Sequence, residues 1–169
     1  MEMRGLMGGF YRISEWIMRL SAINLLWIIC SLPFVFLIFS QLLYISQQPE
    51  ITYTTLYELI GGLLIPTIVA PFTFFPATAA MFSVARKWAT GDADIPLFKS
   101  YFRYYKANYK HAMFGGLFFS AVFIVMLINV QFYADQQTAL AFLNYVFLFM
   151  LVLMLAAFFN YFCYLAHFD

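Results

Sequence analysis

The stretch from residue 86 to residue 110 reads RKWATGDADIPLFKSYFRYYKANYK and is strongly basic. It holds six of the nine lysine and arginine residues of the chain, and long apolar runs flank it on both sides. Lysine and arginine beside a membrane span stay on the cytoplasmic side of the membrane. This stretch therefore decides how the rest of the chain threads through a bilayer.

The composition places the chain in a membrane. Hydrophobic residues make up 64% of it, charged residues only 10%, and the mean hydropathy is +0.83. A soluble domain carries about 25% charged residues, so this chain has too few charges to cover a water-exposed surface. We predict one all-α membrane domain over residues 1–169. The basic residues lie beside apolar runs, where membrane orientation explains them, so the sequence predicts no nucleic-acid partner.

Four apolar runs predict four transmembrane helices, at about residues 17–45, 59–85, 112–132 and 139–166, with a cytoplasmic basic segment at 86–111. The connections at 46–58 and 133–138 contain no lysine or arginine. The three basic residues outside the basic segment lie near the N-terminus: Arg4, Arg12 and Arg19. The charge distribution therefore predicts a multi-pass protein of the bacterial cell membrane, with both termini cytoplasmic.

The first predicted span is longer than a bilayer requires. Its apolar run of about 26 residues would extend about 39 Å as a helix, against a hydrocarbon core of about 30 Å. We expect tilt or a kink, with Pro33 as the kink site. Asn24 is polar within this span, and we expect it to face another helix.

Three prolines recur at intervals of five in the second span: Pro66, Pro71 and Pro76. Each removes a helix hydrogen bond and clashes with the preceding turn, so we predict a helix break. Three threonines are expected to help satisfy the freed carbonyls: Thr67, Thr73 and Thr78. The break favours one of two structures, a kinked helix packed in a small bundle or a broken helix lining a substrate cavity, as in many transporters. We prefer the first.

The basic segment has the pattern of an amphipathic helix, with Asp94 as its N-cap and Pro96 in its first turn. Four basic residues form one stripe: Lys99, Arg103, Lys106 and Lys110. Four aromatic residues form a second stripe one position earlier: Phe98, Phe102, Tyr105 and Tyr109. We predict that this cytoplasmic helix contacts anionic lipid headgroups and leads into the third span. The alternative is a docking surface for a cytoplasmic partner.

Small residues mark a helix-packing face at the start of the third span. Gly115, Gly116 and Ser120 would allow a neighbouring helix to approach closely.

The sequence predicts no catalytic, cofactor or metal site. Apart from Arg19, one turn inside the cytoplasmic end of the first span, the spans contain no Asp, Glu, Lys, Arg or His, and catalysis within a membrane usually requires ionisable groups. Asp92 and Asp94 suit a turn and a helix cap better than a metal site, and Glu15 suits a surface ion pair with Arg12 and Arg19. Cys30 and Cys163 are interpreted as small buried hydrophobic residues. We therefore expect that the protein is not an enzyme.

Four segments together resemble the YesL-like family of bacterial integral membrane proteins, a domain family without an assigned function: Gly5–Arg19, Asn24–Trp27, Phe74–Trp88 and Gly91–Tyr105. The resemblance covers nearly the whole chain and implies a polytopic protein of Gram-positive bacteria. Genes of this family often lie beside genes for carbohydrate uptake and polysaccharide degradation. The family has no established site residues. Its members usually continue beyond the fourth span, so we expect that this chain is truncated there.

Two functions are left open by these observations. We favour a non-catalytic accessory or scaffold subunit associated with carbohydrate uptake or utilisation, bound to a transporter permease or a membrane signalling protein. The alternative is a transporter for a neutral sugar, built around the proline-rich second span. Because four spans enclose only a small cavity, a transporter would need a homo-oligomer or additional helices.

Overall fold

The structure, a computed structural model, describes residues 6–50, 52–92, 95–134 and 142–167. All regular secondary structure in these ranges is helical. The helices are α1 (Leu6–Cys30), α2 (Leu32–Ser46), α3 (Tyr53–Gly62), α4 (Leu64–Val69), a 3₁₀ turn (Ala70–Phe72), α5 (Phe74–Ala89), α6 (Leu97–Ala134) and α7 (Phe142–His167). The predicted all-α helix bundle is confirmed.

The lengths and compositions of these helices fit a multi-pass membrane protein. In the described part of the chain, three helices are long and apolar enough to cross a membrane: Gly9–Cys30, Leu97–Tyr133 and Phe142–His167. A fourth candidate consists of Tyr57–Phe72 and Phe74–Ala89, which meet at a bend of 52°. The apolar helix α2 is shorter, at 15 residues.

The first predicted span is divided into two helices. Helix α1 begins at Leu6, before the predicted span, and the helical run is interrupted at Ser31, two residues before Pro33. Because the proline ring clashes with the turn before it, the interruption lies on the N-terminal side of Pro33. The hydroxyl of Ser31 donates a hydrogen bond to the Trp27 carbonyl at 2.6 Å.

The expectation that Asn24 faces another helix is wrong. Its side chain is exposed, and its amide donates a hydrogen bond to the Leu20 carbonyl of the same helix at 2.7 Å. A polar side chain can thus be satisfied on an outer surface by its own backbone.

Helix α5 forms the centre of the bundle and contacts α1, α6 and α7. Nine of its residues are buried: Phe75, Pro76, Ala77, Thr78, Ala79, Ala80, Ser83, Val84 and Trp88. Most of them are small, so the neighbouring helices can approach closely. One apolar cluster joins α5 to α1 and α6, and a second joins it to α6 and α7.

The amphipathic helix predicted over the basic segment is not a separate element. It is the first part of α6, which continues for 38 residues through the third predicted span. Its length of about 57 Å is nearly twice the hydrocarbon thickness of a bilayer. The helix continues because its interior contains no proline and one buried stripe extends through both parts: Tyr101, Tyr104, Asn108, Ala112, Gly116 and Ser120.

A glycine turn ends α5 and reverses the chain toward α6. Gly91 has a φ of 100°, a conformation that glycine adopts without steric cost. The amides of Gly91 and Asp92 donate hydrogen bonds to the carbonyls of Trp88 (3.3 Å) and Lys87 (3.0 Å), which is the pattern of a Schellman cap. The predicted N-cap Asp94 and residues 135–138 of the predicted external turn lie outside the described residues.

Candidate functional site: the basic end and the helix break

Basic residues from different parts of the sequence lie at the same end of the bundle. The Trp16 and Trp88 rings meet edge to face with centroids 6.2 Å apart, which brings the N-terminal half of α1 beside the end of α5. The guanidinium of Arg86 contacts the end of α7, and α6 starts after the short connection from α5. The N-terminal half of α1, the end of α5, the start of α6 and the end of α7 are therefore neighbours.

Arg86 closes the C-terminus of α7. Its Nη1 donates hydrogen bonds to the carbonyls of Ala166 at 2.5 Å and His167 at 2.7 Å. The last carbonyls of a helix lack partners within the helix and form the negative end of its dipole. A cation at this position therefore satisfies the carbonyls and is attracted by the negative end of the helix dipole. The sequence analysis did not assign this role to Arg86.

Glu15 and Arg19 form the ion pair expected on α1, where they are four residues apart. The Arg12 side chain lies outside the described part of the structure. Because both partners are partly exposed, the pair contributes little to stability, and its main consequence is to neutralise charge on an apolar helix.

The four basic residues of the predicted stripe lie on an exposed face of α6: Lys99, Arg103, Lys106 and Lys110. The opposite face is packed, with Tyr101, Tyr104 and Asn108 buried. The Arg103 guanidinium lies 5.0 Å from the centroid of the Tyr104 ring and donates a hydrogen bond to its hydroxyl at 3.2 Å. The charged stripe thus forms an outer surface of the bundle.

The predicted aromatic stripe divides into two pairs. Phe98 and Phe102 are 65% and 44% exposed, and they line a shallow open groove with Lys99, Arg103 and Lys106. Tyr105 and Tyr109 are half-buried, with ring centroids 5.8 Å apart. The first pair therefore belongs to the exposed basic face, and the second pair packs against the bundle.

The helix break lies around the three prolines of the second predicted span. The helix is interrupted at Leu63, three residues before Pro66, and again through a 3₁₀ turn that contains Pro71. The 52° bend is at Thr73, three residues before Pro76. All three prolines are buried, so the break forms part of the core of the bundle.

The threonines do not bond the carbonyls that the prolines themselves free, and the predicted help is limited to Thr73. Its hydroxyl bonds the Val69 carbonyl, whose usual amide partner bonds Ala70 in the 3₁₀ turn. Each hydroxyl donates to the carbonyl four residues earlier: Thr67 to Leu63, Thr73 to Val69 and Thr78 to Phe74. Because Pro76 has no amide hydrogen, the Phe72 carbonyl, four residues earlier, lacks its usual partner within the helix. That carbonyl accepts a hydrogen bond from the hydroxyl of Tyr109 on α6 at 3.3 Å.

The backbone around Pro71 and Pro76 forms a bend, termed the proline corner. Helix α6 approaches it through Gly115 and Gly116, on the small-residue face that the sequence predicts. A Cβ atom at Gly116 would lie 2.7 Å from Cγ of Phe75 and 2.9 Å from the backbone Cα of Pro71. A Cβ atom at Gly115 would collide with the side chain of Tyr161 on α7. Only glycine allows α6 to fit between the proline corner and α7.

A cavity of about 240 Å³ lies beside the break. Six phenylalanines form most of its lining: Phe34, Phe74, Phe75, Phe119, Phe123 and Phe158. Thr67 and Ser120 contribute the hydroxyl groups of the lining. Across the described residues, no group of three His, Cys, Asp or Glu side chains is arranged to hold a metal ion.

The sequence analysis missed the buried residues that fix the orientation of α6. Tyr101 donates a hydrogen bond to the Ala77 carbonyl at 3.1 Å, and Asn108 donates one to the Ser83 hydroxyl at 3.4 Å. Ala112 and Gly116 follow at the same helical spacing, and this continuous stripe is the sequence signal that indicates the buried face of α6.

Residues 20–130, about two thirds of the chain, match the family described as "Protein of unknown function, DUF624". The chain belongs to this family. Three DUF624-like relatives from Bacillus subtilis (strain 168) are described as uncharacterized proteins. YesL is 30% identical over 131 residues, YteU 25% over 169 and YesV 33% over 87. The predicted resemblance to YesL-like proteins is confirmed. No solved structure matches.

This DUF624 chain is shorter than these relatives. The alignments cover 78% of the chain and 44% of YesL, 100% of the chain and 61% of YteU, and 52% of the chain and 38% of YesV. The described helices therefore correspond to a part of each relative.

Proposed function

We propose that this protein is a non-catalytic accessory or scaffold subunit of the bacterial cell membrane, associated with carbohydrate uptake or utilisation. The observation that carries the proposal is the exposed basic face of α6. Lys99, Arg103 and Lys106 form a groove with the exposed rings of Phe98 and Phe102, on the side of the helix opposite its packed face. A partner with acidic and apolar groups would complement this groove.

The basic end is proposed to lie in the cytoplasm. The positive-inside rule supports this orientation, and the meeting of basic residues from α1, α5 and α6 at one end adds support from the geometry. Both termini would then be cytoplasmic. In this orientation the groove is available either to anionic headgroups of the inner leaflet or to a membrane partner such as a transporter permease or a signalling protein.

The carbohydrate association rests on the family alone. It derives from the frequent neighbourhood of YesL-like genes and genes for carbohydrate uptake. The absence of catalytic activity stays a prediction, because the predicted spans contain no Asp, Glu or His.

A neutral-sugar transporter is the second candidate, and the 52° break in the second predicted span favours it. The cavity beside the break gives it weak support, because most of the lining is phenylalanine. A sugar exchanges many hydrogen bonds with water on binding, and the hydroxyls of Thr67 and Ser120 cannot replace them all. A transport path would need a homo-oligomer or further helices.

The first experiment is affinity purification of the protein from membranes of its own host in mild detergent, followed by mass spectrometry. The test variant is Phe98→Ser with Lys106→Glu, which changes two exposed residues of the groove and keeps the contact of Arg103 with the buried Tyr104. The control is Lys87→Gln, which removes a basic residue outside the groove. We expect a stoichiometric membrane partner with the wild type and the control, and its loss with the test variant.

Two results would contradict the proposal. A homo-oligomer without a partner, together with sugar uptake by the purified protein in liposomes, would favour the transporter. If all variants retained the partner equally, the partner would bind at a surface other than the basic groove.

A further inference from the structure

The cavity at the helix break lies at the depth of the bilayer centre. Ser120, which lines it, is ten residues from Lys110 and nine residues from Asn129 along α6. These separations correspond to about 15 Å and about 14 Å along the helix. Because a hydrocarbon core is about 30 Å thick, the cavity is about equally far from the basic end and the opposite polar end.

The lining suits hydrocarbon. The hydroxyl of Thr67 already donates a hydrogen bond to the Leu63 carbonyl at 2.7 Å. A cavity of 240 Å³ exceeds the apolar cavity of about 150 Å³ that stays dry and binds benzene in an engineered protein. It is therefore large enough for a segment of an alkyl chain. A polar ligand would lose more hydrogen bonds to water than the hydroxyls of Thr67 and Ser120 can replace.

The cavity reaches the outer surface of the bundle beside Leu155. This residue of α7 both lines the cavity and is 49% exposed. The Phe74 ring of the lining packs against Phe34 of α2 (centroids 4.6 Å apart) and against Phe158 of α7 (5.9 Å apart). No helix of the described part of the chain covers Leu155, and at the depth of the hydrocarbon core a surface left uncovered in this way faces acyl chains.

We propose that this cavity binds an acyl-chain segment of a membrane phospholipid, which enters beside Leu155 and packs against the phenylalanines at the break. The chain fills the space that the bend of the second predicted span leaves among α2, α6 and α7. This site is independent of the basic groove, so it neither requires nor supports the accessory role.

The test uses the full chain in nanodiscs of phosphatidylglycerol that carries a photoactivatable diazirine at mid-chain. After irradiation, mass spectrometry of peptides locates the adducts. We expect adducts at lining residues such as Phe123 and Phe158, several-fold above those at the exposed Val125. The variant Leu155→Phe narrows the opening and should reduce the lining adducts several-fold. Leu153→Phe makes the same change at a residue that is 54% exposed and outside the lining, and should leave them unchanged.

The wild-type adduct map tests the proposal even if a variant fails to fold. Adducts confined to exposed residues would mean that phospholipid only surrounds the bundle, which would overturn the proposal. Equal lining adducts in both leucine variants would overturn entry beside Leu155. Native mass spectrometry from mild detergent gives an independent readout, since we expect one retained phospholipid per chain. A retained molecule of another lipid class would refute the assignment to phospholipid.

Discussion

Gly116→Ala adds one methyl group where α6 meets the proline corner, and it tests the packing at the centre of this bundle. The new Cβ atom would lie 2.7 Å from Cγ of Phe75 and 2.9 Å from Cα of Pro71. The second atom belongs to the backbone of the buried 3₁₀ turn, so it cannot rotate away as a side chain can. Relief requires α6 or the turn to move.

The cost can be isolated with a matched glycine. At Gly61 of α3, a Cβ atom would meet nothing within 4 Å. Both substitutions gain about 1 kcal/mol of helix propensity, because alanine loses less conformational freedom than glycine in a helix. Overpacking a well-packed core typically costs about 1–3 kcal/mol. We therefore expect Gly116→Ala to lower the free energy of unfolding by about 1–3 kcal/mol relative to Gly61→Ala.

The assay is unfolding by sodium dodecyl sulfate in mixed micelles, followed by tryptophan fluorescence. Trp27 is a suitable probe because its ring lies 5.7 Å from that of Phe74, next to the corner. Thermal unfolding gives a second readout, with about 2–4 °C expected for each kcal/mol in a chain of this size. Equal stability of the two variants would refute the close packing of α6 on the proline corner.

Three further predictions concern the basic end, the proline corner and the orientation. Arg86→Ala removes both hydrogen bonds to the end of α7 and should cost about 1.5 kcal/mol in the same unfolding assay, with Lys87→Ala as the control near zero. Tyr109→Phe should lower the free energy of unfolding by about 1 kcal/mol in the wild type. The loss should be smaller in a Pro76→Ala background, because the new amide of residue 76 can bond the Phe72 carbonyl. An equal loss in both backgrounds of this double-mutant cycle would contradict the pairing of Tyr109 with that carbonyl. Three lysines introduced into residues 46–58 should hinder translocation of that connection, as measured by cysteine labelling from outside the cell, and unchanged labelling would remove the basis for the proposed orientation.

The sequence predicts the helix bundle well because apolar length and charge segregation are local properties of the chain. Four apolar runs separated by polar connections are enough to predict helices that can span a membrane. The break in the second span is equally local, since a proline lacks an amide hydrogen wherever it lies. The kink in the first span was predicted from Pro33 for the same reason, and the interruption at Ser31 lies two residues away.

The partners of polar groups could not be predicted, because they depend on which helices become neighbours. Aromatic residues occupy several faces at the start of α6, so the pattern alone did not distinguish the buried Tyr101 and Tyr104 from the exposed Phe98 and Phe102. The difference arises from α5, whose alanines leave space for the first pair. The same holds for the Phe72 carbonyl, which is satisfied by Tyr109 on another helix rather than by a nearby threonine.

Helix α6 carries the basic face and also contacts the backbone at the helix break. On its packed side, Tyr101 and Tyr109 donate hydrogen bonds to the carbonyls of Ala77 (3.1 Å) and Phe72 (3.3 Å), which lie on either side of Pro76. On its outer side, the same turns of helix present Arg103 and Lys106. A partner bound to the basic face would therefore contact the same turns of α6 whose tyrosines bond the backbone around the bend.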